Sequence, residues 1–238
     1  MEKFVIEGIE YEFEKFLDLN YTIQKMSEYL QKFGLQKSVR SQKFIRHLHI
    51  HIGLKIQKEL ELPKENVLFE VEMKNKNVDL VITYKDEPKI LITIRSQTSS
   101  IKKNFTNNIN SLQGEVVSLK NYYPKCKVGL VYLLKKKDIA NNEDCSNYYL
   151  ENIPKKLLPI VNTNNPTKDC FDAAMVIIWD LDDVNNVILD DSNIFVKIYN
   201  EENFIKDLKL ILREQKIEPH FSLKDIDIEK FKKFFSAT

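Results

Sequence analysis

The chain has 238 residues, 43% hydrophobic and 30% charged, with 36 basic against 35 acidic side chains, a size and balance that suit one large soluble domain spanning 1–238. No apolar run approaches the roughly 20 residues of a membrane span, and the acidic, broken start MEKFVIEGIEYEFEKF does not read as a signal peptide. A net charge of +1 leaves no global field, so a nucleic-acid partner has to be held by local patches.

The three cysteines, Cys126, Cys145 and Cys170, are odd in number and widely spaced. They read as reduced thiols of a cytoplasmic protein, not as a disulfide frame or a zinc site. Arginine is scarce: Arg40, Arg46, Arg95 and Arg213 are the only four among the 36 basic residues. Each therefore carries weight as a chosen guanidinium.

In chain order, the first 62 residues read as a helical segment. Tyr11–Leu19 and Thr22–Phe33 carry apolar residues at three-to-four spacing, with Gly34 as a stop. A third helix is expected over Ser41–Leu60, with Phe44, Ile45, Leu48, Ile52, Ile56 and Leu60 on one stripe. The period then changes to two. Val67–Met73, Val78–Tyr84 and Lys89–Arg95 read as successive strands joined by the turns Lys74–Asn77 and Lys85–Pro88.

A hydroxyl-rich passage, Ser96–Asn107, leads to a helix expected over Asn108–Tyr122. Val128–Leu134 and Ala173–Trp179 are continuous apolar runs of the kind found in buried strands. Lys135–Asn147 and Asn162–Lys168 read as asparagine-rich loops, Ile194–Tyr199 as a further strand. Asn200 caps a helix to about Glu214, with Glu201 and Glu202 in its first turn. A terminal helix is expected around Ile228–Phe235. The order predicts an α/β fold with a mixed central sheet flanked by helices: a core over 63–180, and a C-terminal strand and helices over 181–238.

The hairpin NVDLVITYKDEPKILITIRSQ is the most informative stretch. If Tyr84 pairs with Ile90, then Ile82 faces Ile92 and Leu80 faces Ile94, which makes one apolar face. The other face then holds Asp79 beside Arg95 and Val81 beside Thr93. A one-residue shift would mix the faces, which burial disfavours. An acid and a cation meeting this way are either a structural ion pair or part of a site.

At Asp79 and Thr93-Ile94-Arg95 the chain resembles the PD-(D/E)xK nuclease superfamily, which sets an aspartate, a second acid and a lysine on a β-hairpin. The longer run Arg95-Ser96-Gln97, Ser99-Ser100, Lys103-Asn104, Glu115, Tyr123-Pro124 and Gly129-Leu130-Val131-Tyr132 looks like a set of type II restriction endonucleases. The resemblance spans roughly Asp79–Leu134 and implies a restriction-endonuclease-like core. In that set a small residue replaces the second acid, and a carboxylate from the following helix takes its place in space.

Two departures carry chemical consequences. Thr93, at the acid position, cannot be a charged metal ligand. Arg95, at the lysine position, stays protonated and can stabilise negative charge but cannot act as a general base. Glu115, bordering the helix stripe Leu112, Val116, Leu119 and Tyr123, is the expected source of the second carboxylate. Asp79 and Glu115 would hold Mg²⁺, which needs only one or two carboxylates. Arg95 would clamp the scissile phosphate, and Gln97 would orient the nucleophile. Each of these side chains can also be read as a solvated or structural group.

Other candidates are weighed against that site. His47 and His51 stand one helical turn apart without a third ligand and read as a helix face. Glu59, Glu61, Glu70 and Glu72 are further carboxylate donors. Asp180, Asp182 and Asp183 read as an acidic turn. Ser99, Lys102, Lys103 and Asn104, with Asn107 and Asn108, form a basic, amide-rich patch suited to phosphates and base edges. The expectation is a Mg²⁺-dependent endonuclease cutting double-stranded DNA as a homodimer, or a nuclease-fold protein that binds DNA or a protein without cleaving.

Overall fold

The structure is a computed structural model, and it describes residues 3–74, 76–161, 167, 169–215 and 233. The described chain divides into two compact units, one formed by residues 3–69 and 181–188, the other by 70–180 and 189–215.

In chain order the strands are β1 (Lys3–Ile6), β2 (Ile9–Glu12), β3 (Val67–Met73), β4 (Lys76–Tyr84), β5 (Glu87–Gln97), β6 (Lys127–Lys135), β7 (Ala173–Leu181) and β8 (Val187–Leu189). The α-helices are α1 (Leu19–Phe33), α2 (Leu35–Arg40), α3 (Gln42–Glu59), α4 (Ile101–Tyr122), α5 (Ser146–Asn152), α6 (Ile194–Ile198) and α7 (Glu201–Glu214). The six strands β3 to β8 form one sheet in sequence order. β4 and β5 pair antiparallel, whereas β5–β6 and β6–β7 are parallel. A mixed sheet with flanking helices is therefore present, as the alternation of patterns predicts.

The beginning of the chain departs from the all-helical expectation. Residues 3–12 form a hairpin, and a 3₁₀ turn over Phe13–Leu17 replaces the helix expected at Tyr11–Leu19. Glu7 and Gly8, both at positive φ (52° and 72°), make a two-residue turn that suits strand twist. Phe4 of β1 and Ile9 and Tyr11 of β2 are buried while Val5 and Glu10 are exposed, so period two wins over the apparent helical spacing. Ser41 accepts a hydrogen bond from the Lys43 amide and starts α3 where expected.

Two later elements also differ. Ile194–Ile198 is a helix, not a strand, because the Asn193 side chain accepts from the Phe195 amide and caps it. The stretch after β6 is not all loop: α5 continues into a π turn over Ile153–Leu157 and a 3₁₀ turn over Leu158–Ile160. The loop expected at Asn162–Lys168 falls mainly outside the described residues, as does the terminal helix at Ile228–Phe235 apart from Lys233.

In the larger unit the parity of β5 distributes its side chains between two layers. Ile92 lies opposite Gly129 of β6, where a β-carbon would come within 3.3–3.4 Å of Ile92 and the Phe204 ring of α7. Glycine here lets α7 sit close on that face. Thr93 and Arg95 point the other way and meet Glu115 of α4. Both faces of the strand are covered, which explains why Ile90–Ile94 is an uninterrupted buried run.

Candidate functional site

The β4–β5 register places the candidate residues. Leu80 pairs with Ile92 and Ile82 with Ile90, two residues away from the expected register. The reason is the turn: Lys85 and Asp86 take positive φ (51° and 60°), and Tyr84 already pairs with Glu87. This two-residue turn, with an irregularity between Ile82 and Thr83, gains ladder bonds that the longer expected loop forgoes. A two-residue slip preserves the faces, so Asp79 shares one with Thr93 and Arg95. Arg95 is a diagonal neighbour of Asp79, not its direct partner.

Four side chains converge there. Thr93 is fully buried, and its hydroxyl donates to Glu115 Oε1 at 2.8 Å. Arg95 Nη2 donates to Glu115 Oε2 at 2.8 Å, a charge-assisted bond, and Arg95 Nη1 lies 3.9 Å from Asp79 Oδ2. Asp79 Oδ2 accepts from the Ile94 amide at 2.6 Å. Glu115 thus spans from the helix to both strand residues, one of which is the hydroxyl at the position lacking an acid. Arg95 keeps 44% of its side chain exposed while both carboxylates are mostly covered, so the cluster opens to solvent through the guanidinium.

The electrostatics are unbalanced. Burial pushes the Asp79 carboxyl up to about 6, helped by the charges of Glu115 and Glu70, while the Ile94 amide and Arg95 hold it back. Burial works against the charge on Arg95, but Glu115 and Asp79 more than offset it and raise its pKa. Two acids thus act on one guanidinium, with Glu70 adding to the negative charge around Asp79. The form of Asp79 that burial penalises is the one a divalent cation would stabilise, and each carboxylate oxygen has a second lone pair. Two carboxylates are donors of the kind Mg²⁺ takes, a hard ion satisfied by few of them, and here Arg95 contacts both.

Gln97 has a different place. It is buried, its amide donating to the Ile101 carbonyl at 3.2 Å and its oxygen accepting from the Tyr132 hydroxyl at 2.6 Å. The first bond ties the end of β5 to the start of α4, the second ties it to β6. Ser99, Lys102 and Lys103 are exposed and Asn104 half-buried, in or just before the first turn of α4. That helix starts seven residues before the expected Asn108 because Asp138 reaches across from the loop after β6. Its buried carboxylate accepts from the amides of Ser100 (2.9 Å) and Ile101 (2.6 Å). Asp138 also accepts from Ala140 at 2.8 Å, so an internal anion fills the helix N-terminus. Nothing local in the sequence singles out Asp138, since the helix it caps lies far away along the chain.

The remaining candidates are dispersed. His47 hydrogen-bonds the Tyr11 hydroxyl (3.1 Å) and the Lys43 carbonyl (2.9 Å), and burial pulls its pKa down to about 4. His51 Nδ1 lies 2.7 Å from the Phe16 carbonyl. Both rings sit in the core of the smaller unit. Asp180 is buried against Lys135, and Asp182 accepts from the Val184 and Asn186 amides as a turn residue. Glu61, Glu72 and Asp183 are exposed.

Among the described residues no group of three or more His, Cys, Asp or Glu side chains is arranged to hold a metal ion. None of the described helices is long and apolar enough to cross a membrane. No protein family, curated protein or solved structure matches this chain.

Proposed function

We propose that this chain is a Mg²⁺-dependent endonuclease that cleaves phosphodiester bonds of double-stranded DNA. The observation that carries this reading is Glu115, whose carboxylate reaches from α4 to the hydroxyl of Thr93 and the guanidinium of Arg95. A negative charge thereby stands beside the strand position where the hairpin itself supplies none.

Asp79 and Glu115 would hold the metal. When bound, the ion would lower the pKa of water and neutralise charge on the phosphate. Arg95, exposed and always protonated, binds a phosphate oxygen and stabilises the charge that develops in the transition state. It cannot take the proton from water. Gln97 holds the strand end through Ile101 and Tyr132, so its contribution here is positional. A homodimer would supply the two active centres that cutting both strands of a palindrome requires.

A second reading has its own support. Both Glu115 oxygens already have donors, and Arg95 lies near both acids, so the cluster could serve a fold that binds DNA or a protein without cleaving. Incubating the protein with duplex DNA and Mg²⁺ separates the two. Discrete fragments, abolished by Asp79→Ala and Glu115→Gln, support catalysis. Binding without fragments favours the second reading. Light scattering after size exclusion gives the oligomeric state.

A further inference from the structure

A second charged surface forms in the larger unit where the first turns of α4 meet the π turn Ile153–Leu157. α4 contributes Lys102 and Lys103, and the π turn contributes Lys155 and Lys156. Lys156 Nζ donates to Thr106 Oγ1 at 2.8 Å, which fastens the π turn to the helix. Tyr148 of α5 lies between the two elements: the ammonium groups of Lys102 and Lys156 are each 5.9 Å from its ring centroid. Its hydroxyl donates to the Lys102 carbonyl at 3.3 Å, and its ring packs edge-on against Phe105 at 5.7 Å.

The two ammonium groups are thus no farther apart than twice 5.9 Å, on rigid supports. Among the described residues Lys102 pairs with Glu143 at 2.6 Å, whereas Lys103, Lys155 and Lys156 have no acidic partner. The Lys102–Glu143 pair is more than two-fifths exposed on both sides, so a competing anion can displace it. The exposed Glu151 of α5 and Asp144, which accepts from the first amide of that helix, are the other acids nearby. The turn of π-helix, a rare conformation that recurs at functional sites, sets two consecutive lysines beside α4.

We propose that Lys102, Lys103, Lys155 and Lys156, grouped around Tyr148, form a contact surface for the phosphate backbone of duplex DNA. Charge complementarity selects the occupant. Duplex DNA carries one negative charge per about 1.7 Å of axis, and clustered lysines bind it by releasing counterions. This surface rests on the nuclease reading for its purpose, since Glu115 lies about 20 Å farther along the axis of the same helix. At 3.6 residues per turn the helix also rotates by about 220° between Lys102 and Glu115, so the two lie on different flanks of it. The expected patch of Ser99, Lys102, Lys103 and Asn104 is thereby extended by a segment with no sequence link to it.

The test is binding of the full chain to a fluorescent duplex in EDTA at several salt concentrations. Lys155→Glu/Lys156→Glu is expected to weaken binding at least tenfold and to lower the salt slope by about 2, at roughly 0.9 for each phosphate no longer neutralised. Lys103→Glu, at a side chain that makes no internal bond in the described structure, is expected to lower it by about 1. Circular dichroism checks folding of each variant. Wild-type affinity and slope in both variants overturn the surface and leave the nuclease reading standing. Lysine-dependent binding by a protein that cuts nothing with Mg²⁺ overturns the nuclease reading and leaves the surface. Equally strong lysine-dependent capture of anionic vesicles or polyglutamate overturns the assignment to duplex DNA.

Discussion

Two acid–cation groupings in the same unit differ in the ways that separate a structural ion pair from a candidate site. Lys120 and Asp172 are both buried and meet at 3.0 Å. Lys120 also donates to the carbonyls of Thr167 (2.8 Å) and Cys170 (2.6 Å), and Asp172 accepts from the Val128 amide at 2.7 Å. A second cation, Lys127, stands 3.5 Å from the other Asp172 oxygen, so here the cations outnumber the acid, and both members of the buried pair also bond the backbone. The cluster of Asp79, Glu115 and Arg95 has the same chemistry with the opposite arrangement. Its cation is exposed, its acids are in excess, and one carboxyl is pushed up to about 6 by burial. The closed pair leaves a buried charge behind if either partner is removed. The open cluster holds charge at a cost in stability, the usual mark of groups kept for binding or chemistry.

The largest effect that would sharpen this contrast is at the closed pair. Lys120→Ala leaves a buried carboxylate without its nearest cation and is expected to cost about 3–5 kcal/mol in denaturant unfolding. A change under about 1 kcal/mol would erase the distinction.

His47, another closed polar group, tests the same idea through pH. Its proton is taken up near 6.5 when unfolded but only near 4 when folded, because burial opposes the charge. The unfolded state therefore binds more protons between these values. Stability from His47 is complete above pH 6.5, falls as the pH drops toward 4, and levels off below. The fall is expected to be about 3 kcal/mol and absent in His47→Gln.

The open cluster predicts the opposite sign for removing a charge. In metal-free buffer at about pH 8, Asp79→Asn ends the burial penalty on the carboxylate while the amide oxygen still accepts from Ile94. We expect stability to rise by about 1–3 kcal/mol, reduced by the lost attraction to Arg95, while cleavage disappears. A loss of stability would place this cluster with the closed pair.

The smallest effect is at Thr93→Val. Deleting one hydroxyl bond to Glu115, which keeps Arg95, is expected to cost about 1 kcal/mol. Any larger fall in cleavage rate would then reflect a misplaced Glu115.

Much of the fold was legible because local patterns answer to local physics. Ser41 and Asn200 start their helices, and the runs at Val128–Leu134 and Ala173–Trp179 are strands, because capping and continuous burial are written into neighbouring residues. The failures were short or remote. The Glu7–Gly8 turn made a hairpin from residues whose spacing also suits a helix. Asp138 lengthened α4 from a distant loop, where no periodicity could signal it.

The candidate site divides the same way. Alternation along β4 and β5 was enough to put Asp79, Thr93 and Arg95 on one face, since the period of a strand is two whatever its partner. It could not set the register, which the Lys85–Asp86 turn moved by two residues. Nor could it set how close Glu115 comes or how charge is shared among the acids. Those depend on the seating of α4 over the sheet and on the water that seating excludes, and both exist only once the chain has folded. Thus the sequence determined which residues could meet, and the tertiary structure alone decided that Glu115 meets Thr93 and Arg95 while Lys156 meets α4.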